Sequence, residues 1–191
     1  SNTASGGYAL YYNTTGSYNA AVGLGALQSN TTASNNTATG YYALVSNTTG
    51  ANNAATGYGS LYSNNASFNT ASGAYALYSN TTGAQNTAVG FQSLLSNTEG
   101  ASNHGFGRNA GQNITTGNHN IAIGYDSLVD TVALTTGSQN IAIGNFTRTN
   151  AADSTYATVI GYNVSGTSGY FTIGRDAQDI RAAHGVATWA T

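Results

Sequence analysis

The feature that most constrains this chain is a short internal repeat. Units opening on asparagine begin at Asn2, Asn19, Asn36, Asn53, Asn69, Asn86, Asn103, Asn120 and Asn140, most of them 17 residues apart. The step from Asn53 to Asn69 is one residue shorter, and that from Asn120 to Asn140 three longer. Two degenerate units follow, ending at Gly161 and Gly174. A unit this small cannot bury an apolar face by itself, so only stacking of neighbours can make it stable.

Each repeat position carries its own physical demand. Position 5 is glycine in all eleven units, from Gly6 to Gly174, which marks a corner with positive φ or a close approach of the next coil. Position 3 is alanine in eight of the first nine units and Gly105 in the other, as a thin interior requires. Position 9 is the core-filling column: Leu10, Leu27, Leu44, Leu61, Leu77, Leu94 and Leu128, with Gly111 the exception. Position 12 is Asn13, Asn30, Asn47, Asn64, Asn80 and Asn97, which predicts amide ladders from coil to coil, and Asn-Thr-Thr-Gly closes the turn.

Residues 120–124 and 140–144, both Asn-Ile-Ala-Ile-Gly, alternate isoleucine and alanine with the period of a β-strand. Seventeen extended residues reach at most ~56 Å, so one coil is a narrow loop with two or three short sides. The segment Gly-x-x-Ala-Leu is read as a second short strand in preference to a helical turn. Stacked at ~4.8 Å, eleven coils would make a rod roughly 50 Å long. The expectation is an all-β, parallel β-solenoid of about eleven ~17-residue coils over residues 1–174, with a C-terminal closing segment at 175–191.

Leu, Ile, Val and Phe are scarce, and Ala and Tyr carry much of the 40% hydrophobic content. A net charge of −2 and a strict pattern argue against disorder, so the scarcity reflects a thin core. Such a core is marginal alone, and oligomerisation is expected to add burial. No cysteine is present for disulfides or thiolate metal sites. No apolar run approaches the ~18 residues of a membrane span, and no secretory signal is visible. The chain opens at Ser1 without an initiator Met, which reads as a piece of a longer or processed product.

Residues 1–98 contain no Asp, Glu, Lys, Arg or His. That half cannot hold nucleic acid through phosphates, nor offer a carboxylate or imidazole for acid–base chemistry. Whatever it binds must be met by hydroxyls, amides and aromatic faces. Tyrosines recur at positions 6, 7 and 10, and Tyr41, Tyr42, Tyr58, Tyr62, Tyr75 and Tyr78 are the candidate ligand-binding residues: a flat ring with a polar hydroxyl suits a glycan. Stacked aromatics equally serve packing between coils or subunits. His104 and His119 would need copies from a threefold axis to make a metal site, and His184 is weaker still. Asp126, Asp130 and Glu99 have no spacing that pairs them as catalytic acids. Sequons at Asn13, Asn30, Asn47, Asn80 and Asn113 are also good turns. The threonine column Thr14, Thr31, Thr48, Thr81, Thr98 and Thr115, broken by Asn65, has the look of an ice-binding array, or of stacked turns with no ligand. No catalytic residue, metal ligand or cofactor is assigned, and no enzymatic activity is expected.

The strands Asn86-Thr87-Ala88-Val89-Gly90, 120–124 and 140–144 resemble the head repeats of trimeric autotransporter adhesins. That resemblance implies a left-handed parallel β-roll assembled as a homotrimer. The longer repeat at residues 40–50, Gly-Tyr-Tyr-Ala-Leu-Val-Ser-Asn-Thr-Thr-Gly, is more similar to phage tail-fibre and tail-spike proteins, and the run 185–191 resembles the lead-in to their autocleaving intramolecular chaperone domain. The resemblance implies a structural and receptor-binding segment of a tail fibre in the virion. Its partners would be host cell-surface polysaccharide or glycan and other tail-fibre segments, with no membrane insertion. Thr191 would lie near a processing point. The alternative is the head of a bacterial trimeric surface adhesin, displayed outside the cell.

Overall fold

A computed structural model of the chain describes residues 1–129, 135–175 and 178–183, with no side-chain placement at Gln178, Asp179 and Arg181. The expectations that fall on Asp130, His184, Trp189 and Thr191 lie outside the described residues, as does most of the insertion at 129–134.

The described residues form strands and turns with no helix. Nine three-residue strands open the coils: β1 (Thr3–Ser5), β2 (Ala20–Val22), β3 (Thr37–Thr39), β4 (Ala54–Thr56), β5 (Thr70–Ser72), β6 (Thr87–Val89), β7 (His104–Phe106), β8 (Ile121–Ile123) and β9 (Ile141–Ile143). They continue through β11 (Thr158–Tyr162) and β13 (Tyr170–Arg175). All eleven pair in parallel, each with the next, which makes a β-solenoid of ten turns between first and last strand. The register joins equal repeat positions, for example Ala21 to Ala38 and Gly161 to Gly174. A side ladder pairs β10 (Arg148–Thr149) with β12 (Ser165–Gly166). At the C-terminal end β14 (Gln178–Ala183) runs antiparallel to β13, so the parallel stack stops there.

The core is as thin as the alanine column requires. Position-3 alanines from Ala21 onward and position-9 leucines from Leu27 onward are buried, with Ala26, Ala43 and Ala76 beside them. The alternation in the Ile-Ala-Ile strands therefore points alanine inward. Ile123 and Ile143 stand on the outer sheet face, each 38% exposed. The ten position-5 glycines from Gly6 to Gly161 meet both conditions at once. At Gly40, φ is 141° and an added Cβ would lie 2.5 Å from the Gly57 carbonyl oxygen.

The segment expected to be a second strand is a run of tight turns. In the third coil Ala43 donates to the Gly40 carbonyl and Asn47 to the Leu44 carbonyl, while Leu44 donates across to Ser60 of the next coil. Tyr42 and Leu44 take φ of 54° and 53°, between residues of ordinary φ. Alternating positive and negative φ winds this side of the coil tightly and excludes a pleated strand.

The other half of the interior is polar. Position-1 asparagines form one ladder: each Oδ1 accepts the backbone N–H of the next coil's asparagine, as Asn36 does from Asn53 at 2.9 Å. The position-12 ladder expected from the sequence is also present, with Asn97 Nδ2 on Asn80 Oδ1 and Asn80 Nδ2 on Asn64 Oδ1, both 2.7 Å. In the seventh coil Ile114 replaces the position-12 asparagine and Gly111 the position-9 leucine. An added Cβ at Gly111 would sit 3.1 Å from Ile114 Cδ1, so the isoleucine fills the space the leucine vacates.

Candidate functional site

The tight turns at positions 6 to 10 carry the aromatic side chains and hold them at the coil spacing. The six candidate tyrosines form one closed circuit of ring contacts. Tyr41 lies against Tyr42 (centroids 4.2 Å apart) and stacks on Tyr58 (5.1 Å, planes 4° apart). Tyr58 meets Tyr75 edge-on at 5.1 Å, Tyr75 meets Tyr78 at 5.6 Å, and Tyr78 stacks on Tyr62 at 4.8 Å. Tyr62 closes the circuit against Tyr42 at 6.3 Å. Tyr41 and Tyr58 are the exposed members, and the other four are half-buried. Rings in edge and stacked pairs gain roughly 0.5–1.5 kcal/mol per pair beyond burial, so the platform is preorganised.

Glycine makes room for part of this. A Cβ at Gly25 would run into the Tyr42 ring, and one at Gly59 would touch Tyr75 and Tyr78. Position 7 thus alternates Tyr8, Gly25, Tyr42, Gly59, Tyr75, so that a ring leans over a neighbour without a side chain. That alternation was visible in the sequence and is the signal for ring sockets.

The strip runs further than the six tyrosines. Tyr75 meets Phe91 at 6.2 Å. The Arg108 guanidinium then sits 5.9 Å from the Phe91 ring centre and 5.3 Å from that of Tyr125, taking the slot of a ring in the seventh coil. Tyr125 meets Phe146, Phe146 meets Tyr162, and Arg175 lies over Tyr162. A separate cluster of Tyr8, Tyr11 and Tyr12 sits on the first coil.

Close phenols disfavour their own ionisation. The Tyr41 hydroxyl titrates above its ordinary value, first through its hydrogen bond with Tyr42, then through desolvation and the neighbouring phenols. Tyr75 is raised as well, chiefly by desolvation and then by Tyr58.

The remaining candidates are structural or scattered. Thr14, Thr31, Thr81, Thr98 and Thr115 each donate their hydroxyl hydrogen to the threonine carbonyl of the next coil, at 2.9–3.2 Å. Asn30, Asn47 and Asn80 are fully buried with their amide nitrogens engaged, so those sequons are inaccessible in the folded coil. His104 is half-buried on the outer face of β7 and His119 is exposed on another column. Among the described residues no group of three or more His, Asp or Glu comes together to hold a metal. Asp126 accepts from Asn109 Nδ2 at 2.8 Å, while Glu99 stands exposed in the turn column, so the structure does not pair them.

No helix among the described residues is long and apolar enough to cross a membrane. No family model, curated protein or solved structure matches this chain.

Proposed function

We propose that the chain is a structural and receptor-binding segment of a phage tail fibre, carried on the virion as a homotrimer. It contacts host cell-surface glycans through the aromatic strip and has no chemistry of its own. The observation that carries this reading is the closed circuit of Tyr41, Tyr42, Tyr58, Tyr75, Tyr78 and Tyr62, built in a stretch of sequence without a charged residue. Preorganised flat rings with hydroxyl edges suit sugar faces, and a rigid solenoid suits a shaft. The homotrimer is supported by an unpartnered apolar column on the outer sheet face: Val89, Phe106, Ile123, Ile143 and Ile173 are all exposed, on consecutive or near-consecutive coils. A contiguous apolar patch of that kind marks an association surface. Parallel copies about a threefold axis would bring each column against its own equivalents.

The strand motif Asn-Ile-Ala-Ile-Gly favours a second reading, the head of a bacterial trimeric surface adhesin. Both readings make the strip the contact surface.

The test is binding of intact protein to an array of neutral bacterial surface glycans, beside a Tyr41→Ala/Tyr58→Ala variant. At least tenfold loss in the variant, with wild-type binding nearly unchanged between low and high salt, is the expected result, because screening acts only on charges. Equal binding by both proteins would assign these rings to packing alone.

A further inference from the structure

Side chains that oxidise readily are almost all tyrosines in this chain. It has 14 tyrosines, one tryptophan and no cysteine or methionine. A one-electron oxidant that meets the solenoid therefore finds little but phenols. The six tyrosines of the circuit are gathered on three consecutive coils: Tyr41 and Tyr42 on the third, Tyr58 and Tyr62 on the fourth, Tyr75 and Tyr78 on the fifth.

The middle one of those coils is the irregular one, with one residue fewer between Asn53 and Asn69 than its neighbours have. Elsewhere in the turn column one carbonyl takes up to three backbone N–H groups from the coil before it. Thr14, Thr15 and Gly16 all donate to Thr31, and Thr81, Thr82 and Gly83 all donate to Thr98. On the fourth coil asparagine stands in that column, and Thr48 donates to the Asn65 side chain at 2.7 Å instead of to a carbonyl. Among the described residues of the fourth coil, only Asn65 donates to the Thr81 carbonyl, at 3.0 Å. The turn of this coil is thus held by fewer backbone bonds, and the aromatic circuit bridges the same coil at positions 6 to 10.

Within the circuit, Tyr41 and Tyr58 are placed for a reaction that the other rings are not. Both hold position 6, on adjacent coils, with centroids 5.1 Å apart and planes 4° apart. The ring carbons beside each hydroxyl therefore lie close to their counterparts on the facing ring. Tyr58 and Tyr75, like Tyr75 and Tyr78, aim a ring edge at a ring face instead. The second stacked couple, Tyr62 and Tyr78, has its planes 24° apart and is half-buried, whereas Tyr41 and Tyr58 are 39% and 48% exposed.

We propose that Tyr41 and Tyr58 form an oxidative cross-linking site, which hydrogen peroxide acting through a peroxidase converts to a dityrosine that staples the third coil to the fourth. Each phenol gives up one electron and its hydroxyl proton. The two radicals join through the ring carbons next to the hydroxyls, and the hydrogens on the joined carbons move to the oxygens and restore both O–H groups. In sum the pair loses two electrons and two protons, which reduce one hydrogen peroxide to two waters. The new bond closes a loop of one coil and removes conformations from the unfolded chain, as a disulfide does. It falls beside the coil whose turn is held by the fewest bonds.

The experiment treats the full chain with peroxidase and hydrogen peroxide, then digests it with thermolysin and maps joined peptides by mass spectrometry. Tyr58→Phe and Tyr18→Phe are treated alongside. Tyr18 is 71% exposed and stands outside the circuit, so it reports on exposure alone. The chain is expected to stay single on a denaturing gel, to lose two hydrogens, and to carry Tyr41–Tyr58 as its most abundant joined pair. Tyr58→Phe keeps the ring without the phenol, and should lose at least nine-tenths of the cross-link at Tyr41; Tyr18→Phe should keep it. The oxidised wild type should unfold several degrees above the untreated protein, and oxidised Tyr58→Phe should not. Circular dichroism before treatment checks that each variant is folded. No cross-link, joining chiefly between chains, or any other pair in greater abundance would overturn the proposal. So would a cross-link at Tyr41 indifferent to Tyr58→Phe, or oxidised wild type that unfolds no higher than before.

Discussion

Asn36 and Asn47 end on the same atom: each donates from Nδ2 to the Gly50 carbonyl oxygen, at 2.9 Å in both cases. The arrangement recurs at Gly83, reached by Asn69 and Asn80, and at Gly100, reached by Asn86 and Asn97. Two amide ladders therefore clasp one carbonyl per coil, and they tie the start of the coil and its far turn to the place where it closes. The asparagines are buried, so every unmade bond would leave a desolvated polar group behind.

Asn47→Ala should cost about 1–3 kcal/mol, because it removes a donor from Gly50 and leaves the Asn64 amide without its Asn47 acceptor. Asn47→Asp should cost more at neutral pH, since a buried carboxylate would face the Gly50 carbonyl with no hydrogen to give. Denaturant unfolding of both variants checks the order; Asp as stable as Asn would mean that the ladder carries little energy.

The Gly111–Ile114 pair predicts strong coupling. Gly111 has φ of 64°, close to the φ of the leucines it replaces, so a leucine there is allowed by the backbone. What forbids it is contact: the added Cβ would lie 2.8 Å from Leu94 Cδ2 and 3.1 Å from Ile114 Cδ1. Gly111→Leu alone should destabilise by about 1–3 kcal/mol through overpacking. Ile114→Asn alone should cost about 2–4 kcal/mol through a cavity and a buried amide. Together they restore the residues of the other coils, so the double variant should be more stable than the sum of the singles by ~1 kcal/mol or more. Additive losses in the cycle would show that the two positions do not share one space.

Tyr41 and Tyr75 titrate above 10.0. A raised phenol value means that the folded strip favours the neutral ring. Its contribution is fully present below the unfolded value and is lost as pH rises through the folded one. Ultraviolet titration should therefore show the Tyr41→Phe/Tyr75→Phe variant losing phenol amplitude above the ordinary phenol range, and wild-type thermal stability should fall above about pH 10. A variant that loses amplitude only below the ordinary phenol range would contradict the strip's geometry.

Much of this was legible in the sequence, for reasons that differ by column. The period fixed which residues stack, and residue size fixed which way they point: alanine and leucine in, isoleucine of the strands out. The tyrosine circuit was legible because the rings recur at fixed positions. Phe146, Tyr162 and Arg175 were missed as members although, counted from Gly144, Gly161 and Gly174, they hold positions 7, 6 and 6; the last two units lack the opening asparagine, and all three lack the tyrosine runs that draw the eye to the earlier ones. The position-1 ladder was missed although it is the most regular of all, because an asparagine before a strand reads as a unit opener and its bond to a carbonyl 14 residues on leaves no local signature. The turns at positions 6 to 10 were misread as a strand because nothing in Tyr42 or Leu44 announces a positive φ. Stacking on the neighbouring coils imposes it, as Leu44 shows by bonding across to Ser60.

Ile123 separates the fold of one chain from the assembly of several. Its side chain lies on the outer face of β8, 38% exposed, between Phe106 and Ile143 in the parallel register. In a lone chain an aspartate there would reach water, and its cost would be confined to the loss of apolar contact with those two neighbours and a weaker β-former. Between three copies on one axis, three carboxylates would be brought together away from water, at a cost of several kcal/mol. Ile123→Asp should therefore leave the β-rich circular dichroism spectrum of the single chain intact while converting a sedimenting trimer into monomer. The effect should be weaker for the same change at Thr39, whose place in the outer column is already polar. Wild-type protein that sediments as a monomer at micromolar concentration would remove the trimer, and a trimer that tolerates Ile123→Asp would place its interface on another face of the coil.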